Sequence, residues 1–200
     1  IELLTRIGDQ SVVDLLTASY PKLNNSEKRE ALEGLQRLHS PEYLTLAADA
    51  LKTDDSSLLN SVTNGLYKDG SDRAEQVLVD ALKSDAKHSS WSYVCNALAN
   101  FGTPKARAAL RAARDADNAN KKSAAQNALR SLSQRSPGYQ YVYQAQETLK
   151  QREWDQAVQQ FTLAIQADAE LAEAFAGRGT AYLNLNKRKE AKADFERAVQ

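Results

Sequence analysis

Apolar side chains recur at intervals of three and four residues along most of the 200-residue chain. This spacing places them on one side of an α-helix, so it predicts amphipathic helices that each bury one face. Two such series lie between residues 32 and 51, at Leu32, Leu35, Leu38, Leu44, Ala47, Ala48 and Leu51.

Short segments that disfavour a helix separate the members of each predicted helix pair. They are His39-Ser40-Pro41, Asp69-Gly70-Ser71-Asp72 and Gly102-Thr103-Pro104. In each, the serine or threonine can accept a hydrogen bond from a backbone N–H of the next helix, and proline suits a first helical turn. We therefore predict helix–turn–helix pairs over residues 31–132.

The chain repeats itself with two different periods. EGLQRLHSPEYLTLAADALK (33–52) returns as NGLYKDGSDRAEQVLVDALK (64–83) and again as NALANFGTPKARAALRAARD (96–115). Further along, Ala157-x3-Phe161-x2-Ala164 returns with a slightly longer period as Ala191-x3-Phe195-x2-Ala198. Periods of roughly 30–35 residues are typical of stacked repeats. They predict an all-α fold, a right-handed α-solenoid of stacked helix pairs.

The leucine, glycine and Asp/Ser turn pattern of the first period, over residues 8–132, resembles the short bacterial HEAT-like repeat. This repeat also occurs in phycobilisome lyases. The resemblance implies a HEAT-like repeat array over residues 1–135. It also implies an alternative function, an enzyme-associated role of the phycobilisome-lyase type.

The second period resembles the tetratricopeptide (TPR) repeat. Phe175-x2-Arg178-Gly179-x2-Tyr182, followed by the Ala-Phe-Ala series, carries the likeness. Arg178 departs from it, since this family usually has leucine at that position. The helix-breaking Ser136-Pro137-Gly138 precedes this section. We therefore expect two TPR repeats over residues 139–200, where the C-terminal end looks truncated.

Composition narrows the class of protein further. Hydrophobic residues make up 42% of the chain and charged residues 26%, which is ordinary for a folded protein. Basic and acidic residues both number 26, so no strong overall field attracts nucleic acid or a membrane surface. The first hundred residues hold 10 basic and 15 acidic side chains, and the second hundred hold 16 and 11. This asymmetry could orient a partner.

Few residues suit catalysis or metal binding. The single cysteine, Cys95, is expected in a helix core, while His39 and His88 fall at or next to different turns. One cysteine and two distant histidines do not make a zinc site of usual spacing, and the glycines form no phosphate-binding loop. We expect a protein that is not an enzyme and that has no cofactor.

Two acid–base pairs recur on equivalent second helices. Asp49 is followed by Lys52, and Asp80 by Lys83, at the same spacing. Such i,i+3 pairs usually lie on a solvated helix face. In HEAT-like arrays the second helices line the inner surface, so the resemblance also implies that these four residues line a partner-binding groove.

The TPR resemblance implies a second part of that groove, because first helices line the concave surface in this family. By position, its candidate residues are Tyr139, Val142, Gln146, Lys150, Glu173, Thr180 and Asn184.

The leading expectation is a protein–protein interaction scaffold that binds a peptide or a helical segment on its concave surface. Self-association through an uncapped C-terminal TPR face is a further expectation. Nucleic-acid binding is the weakest alternative, because it requires basic residues to share one face: Arg107, Arg111, Arg114, Lys121 and Lys122. No apolar run reaches the roughly 18–20 residues that span a bilayer. The cytoplasm is favoured slightly, and a targeting segment already removed stays an alternative.

Overall fold

The structure, a computed structural model, describes residues 10–84 and 91–199. These residues form twelve α-helices and a short 3-10 helix at Tyr20–Lys22, without any strand, which confirms the all-α prediction for them. The helices are α1 (Gln10–Ser19), α2 (Asn25–Arg37), α3 (Glu42–Ala50), α4 (Ser56–Asp69), α5 (Asp72–Lys83), α6 (Trp91–Phe101), α7 (Pro104–Arg114), α8 (Ala119–Gln134), α9 (Tyr139–Lys150), α10 (Trp154–Ala167), α11 (Ala172–Asn184) and α12 (Arg188–Ala198). None of the described helices is long and apolar enough to span a membrane.

The chain divides into two compact units, Ile1–Ser131 and Leu132–Gln200. In the first unit the helices form two layers. The first members of the pairs, α2, α4 and α6, pack side by side, and so do the second members, α3, α5 and α7. Leu35, Leu66 and Leu98 occupy equivalent positions on α2, α4 and α6, and each is completely buried. The apolar pattern of the sequence therefore forms a core that repeats with the helix pairs.

The turns inside the pairs repeat in backbone geometry. Left-handed residues end the first helices at His39 (φ 52°), Gly70 (φ 68°) and Gly102 (φ 66°), which occupy equivalent positions of the three pairs. The hydroxyl groups of Ser71 and Thr103 then cap α5 and α7 by accepting backbone N–H groups, as predicted.

The predicted hydrogen bond at the first turn is present, although Ser40 is not the N-cap residue. The N-cap of α3 is Pro41, which has no side-chain cap. The Ser40 hydroxyl, one residue earlier, accepts the backbone N–H of Glu42, the first residue of α3, at 3.3 Å. It also donates to the Glu42 carboxylate.

The backbone of the second unit repeats as its sequence does. Left-handed residues at Arg152 (φ 64°) and Asn186 (φ 59°), at equivalent positions of the two pairs, end α9 and α11. In both turns an N–H reaches back to the last helical turn, from Glu153 to the Thr148 oxygen at 3.2 Å and from Lys187 to the Tyr182 oxygen at 2.9 Å. The period of the sequence is therefore also a period of the backbone.

Large and small residues alternate in the core of this second unit. The Phe161 ring is completely buried among alanines of α9, α10 and α11. A Cβ at Gly177 would lie 2.2 Å from that ring, and a Cβ at Gly179 would lie 3.0 Å from the Phe195 ring. Helix α11 can approach both rings only because glycine occupies these two positions.

The left-handed turns lead to a prediction about stability. A side chain at positive φ is strained, so His39→Gly should stabilise the first unit by about 0.5–1 kcal/mol. Gly70→Ala should destabilise it by about 1 kcal/mol for the same reason. Urea unfolding of both variants would measure the changes. His39→Ala is the control, because it removes the imidazole but keeps the strain; an equal gain in that variant would contradict the explanation.

Candidate binding surface

A groove of about 860 Å³ runs between α2 and α4, on the side of the first unit formed by the first helices. Side chains from both helices line it. They are Arg29, Glu30, Glu33, Gln36 and Arg37 on α2, and Ser57, Asn60, Ser61, Asn64, Gly65 and Lys68 on α4.

Three hydrogen bonds join the two walls of this groove. The guanidinium of Arg29 donates to the Ser57 hydroxyl at 3.3 Å, and the Ser61 hydroxyl donates to the Glu33 carboxylate at 3.3 Å. The Gln36 amide donates to the carbonyl of Gly65 at 2.7 Å. These bonds hold the two walls together.

The two walls differ in charge. The α2 wall carries acidic and basic groups, while the α4 wall offers hydroxyl and amide groups before Lys68. The next first helix, α6, contains no charged residue and exposes Ser92, Asn96 and Asn100. A surface that is rich in amides and free of charge suits a neutral polar ligand, because each asparagine both donates and accepts hydrogen bonds.

The spacing of these amides matches a polypeptide backbone. Asn60 and Asn64 lie one helical turn apart, which corresponds to about 6 Å along the helix axis. An extended chain presents equivalent peptide groups about every 6.6 Å. Asn64 donates to the Asn60 side-chain oxygen at 3.2 Å, so the two amides hold each other in position.

The four candidates on the second helices lie outside the α2–α4 groove. The Asp49–Lys52 ion pair is 3.2 Å long and well exposed, beside a smaller depression of about 240 Å³. Asp80 accepts a hydrogen bond from Gln76 at 2.7 Å, and Lys83 is exposed on the same helix. The α2–α4 groove therefore lies on the opposite helix layer from the one that the HEAT resemblance implied.

Four of the seven candidates in the second unit are exposed: Gln146, Lys150, Thr180 and Asn184. Lys150 forms a 2.6 Å ion pair with Glu147, whose hydrogen bond raises the pKa of the lysine. Thr180 donates to the Ala176 carbonyl and Asn184 to the Thr180 carbonyl, both at 2.9 Å. The Thr180 hydroxyl and one of the two Asn184 amide N–H groups are therefore already used by their own helix.

The other three candidates are less accessible. Tyr139 and Glu173 are half-buried. Val142 is only 1% exposed and belongs to the core cluster around Phe161. Its assignment to the surface of a groove needs correction: the side chain packs inward, because this position of α9 faces the other helices of the unit.

An ion pair in the second unit was not foreseen from the sequence. Arg178 donates two hydrogen bonds of 2.8 Å to Asp194, and it donates a third to Thr162 at 3.1 Å. The hydrogen bonds to Asp194 raise the pKa of the guanidinium further. The sequence contains one sign of this pair. The first repeat has Gln144 and Gln160 at the positions equivalent to Arg178 and Asp194, so the two charges appear together in the second repeat.

A buried carboxylate in the first unit was also missed. Glu75 is 3% exposed and accepts a hydrogen bond from the Thr103 hydroxyl, while Lys105 lies 4.0 Å away. Thr103 meanwhile caps α7 by accepting the Ala106 N–H. The cluster thus ties the start of α7 to α5. The equivalent residue to Glu75 in the preceding pair is Leu44, so the repeat pattern contains no sign of it.

Lys121 is buried and does not contribute to the exposed basic face that nucleic-acid binding requires. It is only 9% exposed, and its ammonium group lies 4.8 Å from the centre of the Trp91 ring. Arg114 pairs with Asp115 at 3.0 Å. The proposed basic set therefore loses one member to the core and has another partly neutralised.

The candidate catalytic residues do not form a site among the described residues. Cys95 is completely buried and His39 lies at an exposed turn, while His88 falls outside the residues described. Within residues 10–84 and 91–199, no three His, Cys, Asp or Glu side chains group in a way that could hold a metal ion.

The Cys95 thiol should be protected in the folded protein. Burial raises its pKa to about 12, and the nearby Lys121 lowers it by a smaller amount. In an unfolded chain the pKa is about 8.5. A thiol reagent at pH 8 should therefore label Cys95 only after unfolding, whereas native protein stays unlabelled for hours. Mass spectrometry with and without denaturant measures this; rapid labelling of native protein would contradict it.

The raised thiol pKa has a consequence for stability as a function of pH. The pKa of the thiol is higher in the folded protein than in the unfolded chain. The stability that Cys95 contributes is therefore fully present below about pH 8.5. It is lost as the pH rises towards 12, because only the unfolded chain then ionises the thiol.

No protein-family model matches the chain, and a search of the curated proteins finds no match either. The HEAT-like and TPR resemblances therefore stay predictions that rest on the spacing of residues.

Proposed function

We propose that the chain is a non-enzymatic interaction scaffold that binds a segment of another protein along its first helices. In this proposal the helix pairs form a right-handed solenoid, in which HEAT-like pairs in residues 1–135 continue into two TPR repeats in residues 139–200. The known part of this arrangement is the all-α, repeat-like packing within each unit.

The α2–α4 groove is the observation that carries the proposal. It is open and polar, and the walls on its two sides come from equivalent helices of successive pairs. Repeat proteins use such extended surfaces to contact macromolecules, because successive repeats continue the same surface. The uncharged amides of α4 and α6 favour an extended segment whose backbone groups they can pair.

The charged α2 wall would orient this segment. Arg29 and Arg37 lie along the wall together with Glu30 and Glu33, so each half of a bound segment meets both signs of charge. Charge patterns of this kind contribute more to specificity and register than to affinity. The amides then supply affinity that depends little on the partner's side chains.

An affinity pull-down with three baits tests the proposal. The first bait is the unchanged chain, and the second carries Asn60→Arg and Asn64→Arg in the groove. The third is a matched control on the other helix layer, with Asp80→Arg and Lys83→Glu. We expect one protein to bind the first and third baits and to lose at least about tenfold in affinity for the second when purified.

Equal binding by all three baits would remove the groove from the proposal. A further bait then tests the second unit, with Gln146→Glu, Lys150→Glu and Asn184→Arg on exposed positions of α9 and α11. If none of the baits retains a protein, the scaffold function itself is wrong.

A further inference from the structure

The α2–α4 groove has two ends that differ in charge. Hydrogen bonds join Arg29 to Ser57 near the helix starts and Gln36 to Gly65 towards the helix ends, so α2 and α4 run in the same direction. One end of the groove therefore lies at the first turns of both helices, and the other end lies at their last turns.

Two basic side chains form the end at the last turns. Arg37 and Lys68 occupy equivalent positions of successive helix pairs, so they lie at the same level on the two walls, and both are exposed. The Nε of Arg37 donates to the Glu33 carbonyl at 3.3 Å. Its two terminal amino groups and the Lys68 ammonium have no partner among the described residues. These groups can therefore bind an added anion.

The carboxylate nearest to this end lies outside the groove. Asp69 accepts the backbone N–H of Ser71 at 3.2 Å and also the Ser71 hydroxyl, so it is used in the turn before α5. Its side chain lines a neighbouring cavity of about 310 Å³ and does not line the groove. An anion in the groove thus meets Arg37 and Lys68 without a carboxylate between them.

Acidic groups predominate at the other end. Glu30 and Glu33 are exposed and line the groove on α2. Arg29 is the basic group there, and the carboxylate of Asp55, the N-cap residue of α4, offsets its charge. The Leu58 N–H most strongly, and the charge of Arg29 to a smaller extent, lower the pKa of Asp55, so this carboxylate stays ionised.

The partial charges of the helix ends reduce this difference without reversing it. Each helix contributes about half an elementary charge, positive at its start and negative at its end. Two helix ends together therefore offset about one of the two full charges of Arg37 and Lys68. At the first turns, the carboxylates outnumber the basic groups by more than the helix starts supply. The groove is thus bipolar, with a positive and a negative end.

The distance between the two ends fits alternate residues of an extended chain. Glu33 and Arg37 lie four residues apart, which corresponds to about 6 Å along the helix axis. Side chains on one side of an extended segment recur about every 6.6 Å. A lysine or arginine side chain has a long flexible stem, so it can also reach Glu30, one turn before Glu33.

We propose that the groove binds an extended segment that carries an acidic and a basic side chain two residues apart. The acidic carboxylate lies between Arg37 and Lys68 and accepts hydrogen bonds from both. The basic group contacts Glu30 and Glu33. The inference rests on the proposed function, because it names the side chains of the segment whose backbone the groove holds.

NMR titration of the full chain with five pentapeptides tests the proposal. Two mixed probes carry both charges, acetyl-Thr-Glu-Thr-Lys-Thr-amide and acetyl-Thr-Lys-Thr-Glu-Thr-amide, because a segment can enter the groove in either direction. The three control probes have two glutamates, two lysines or two glutamines at these positions. At low salt we expect one mixed probe or both to shift the amide signals of Glu33, Arg37 and Lys68. The affinity should exceed that of each control probe by about fivefold to tenfold, from two exposed charge contacts.

Charge reversal distinguishes direct contact from a general effect of net charge. Arg37→Glu with Lys68→Glu makes both ends of the groove acidic, so the two-lysine probe should then bind best, a gain that an unfolded variant would not show. The matched control, Lys52→Glu with Lys83→Glu, changes the net charge equally at exposed positions of the other helix layer. It should keep the preference for the mixed probe. The same change of preference in both variants would overturn the inference, since only net charge would then matter.

The role of charge also has a test in salt. At about 1 M salt the Debye length falls to about 3 Å, so the mixed probe should lose its advantage over the two-glutamine probe. An advantage that persists at high salt would contradict the proposed contacts.

The remaining outcomes separate this inference from the proposed function. Equal binding of all five probes would reject the charge pattern and leave the groove in place. If no probe shifts the three signals, the inference is wrong, and the scaffold still stands if the Asn60→Arg and Asn64→Arg bait loses its partner. Binding of a mixed probe when no bait retains a protein would support the bipolar site and reject the scaffold function.

Discussion

Replacing Phe161 with alanine lowers the free energy of unfolding of the second unit by about 3–5 kcal/mol. The ring is completely buried between α9, α10 and α11, and it contacts α11 at Gly177, where even a Cβ would not fit. Truncation therefore removes the largest apolar group of this core. It also leaves a cavity that helices held in register by short turns cannot close.

Hydrogen-exchange mass spectrometry in increasing denaturant measures this change, because it follows peptides from α9–α12 separately from the rest of the chain. Leu163→Ala is the matched control: Leu163 lies on the same helix but is 46% exposed, so its loss should cost about 0.5 kcal/mol. Similar losses for the two variants would show that Phe161 is not the centre of this core.

Replacing Asp194 with alanine lowers the stability of the second unit by about 2–3 kcal/mol. The variant leaves Arg178, whose side chain is 18% exposed, without its carboxylate. Removing one partner of a fully buried pair costs about 3–5 kcal/mol, and the partial exposure of Arg178 reduces that figure. The Phe175 and Tyr182 rings, 5.7 and 5.8 Å from the guanidinium carbon, retain part of the attraction.

The double variant Arg178→Leu with Asp194→Ala should recover part of this loss, because it removes the stranded charge and leaves an apolar side chain in its place. Glu196→Ala is the control on the same helix. It breaks the exposed 3.7 Å pair with Lys192 and should change stability by no more than about 0.5 kcal/mol. If denaturant unfolding shows the same loss of stability for Asp194→Ala as for Glu196→Ala, the Arg178–Asp194 pair contributes little.

Local signals predicted the helices and most of their ends. The apolar spacing of Leu35, Leu66 and Leu98 identified buried faces that the structure confirms. Caps at Ser71 and Thr103 followed from residue type and position. These predictions succeeded because helix formation and capping depend on residues within about four positions of each other. Ser40 also accepts the backbone N–H of Glu42, as predicted, although the N-cap of α3 is Pro41.

The surface was harder to predict. Val142 has the sequence position of a groove residue but packs in a core, because its burial depends on helices that are distant in sequence. The α2–α4 groove lies on the layer that the first-unit candidates do not occupy. The position of the groove depends on the distance between equivalent helices, and small differences in side-chain packing set that distance.

By itself, the sequence determined an all-α chain whose helices return with two distinct periods, because helical periodicity and turn chemistry are local. Only the tertiary structure decided which polar groups lose contact with water. It buried Glu75 beside Thr103, joined Arg178 to Asp194, and placed the unpaired hydroxyl of Tyr43 beside Gln36. These contacts join residues from different helices, and the free energy of a polar group depends on the neighbours that replace its water.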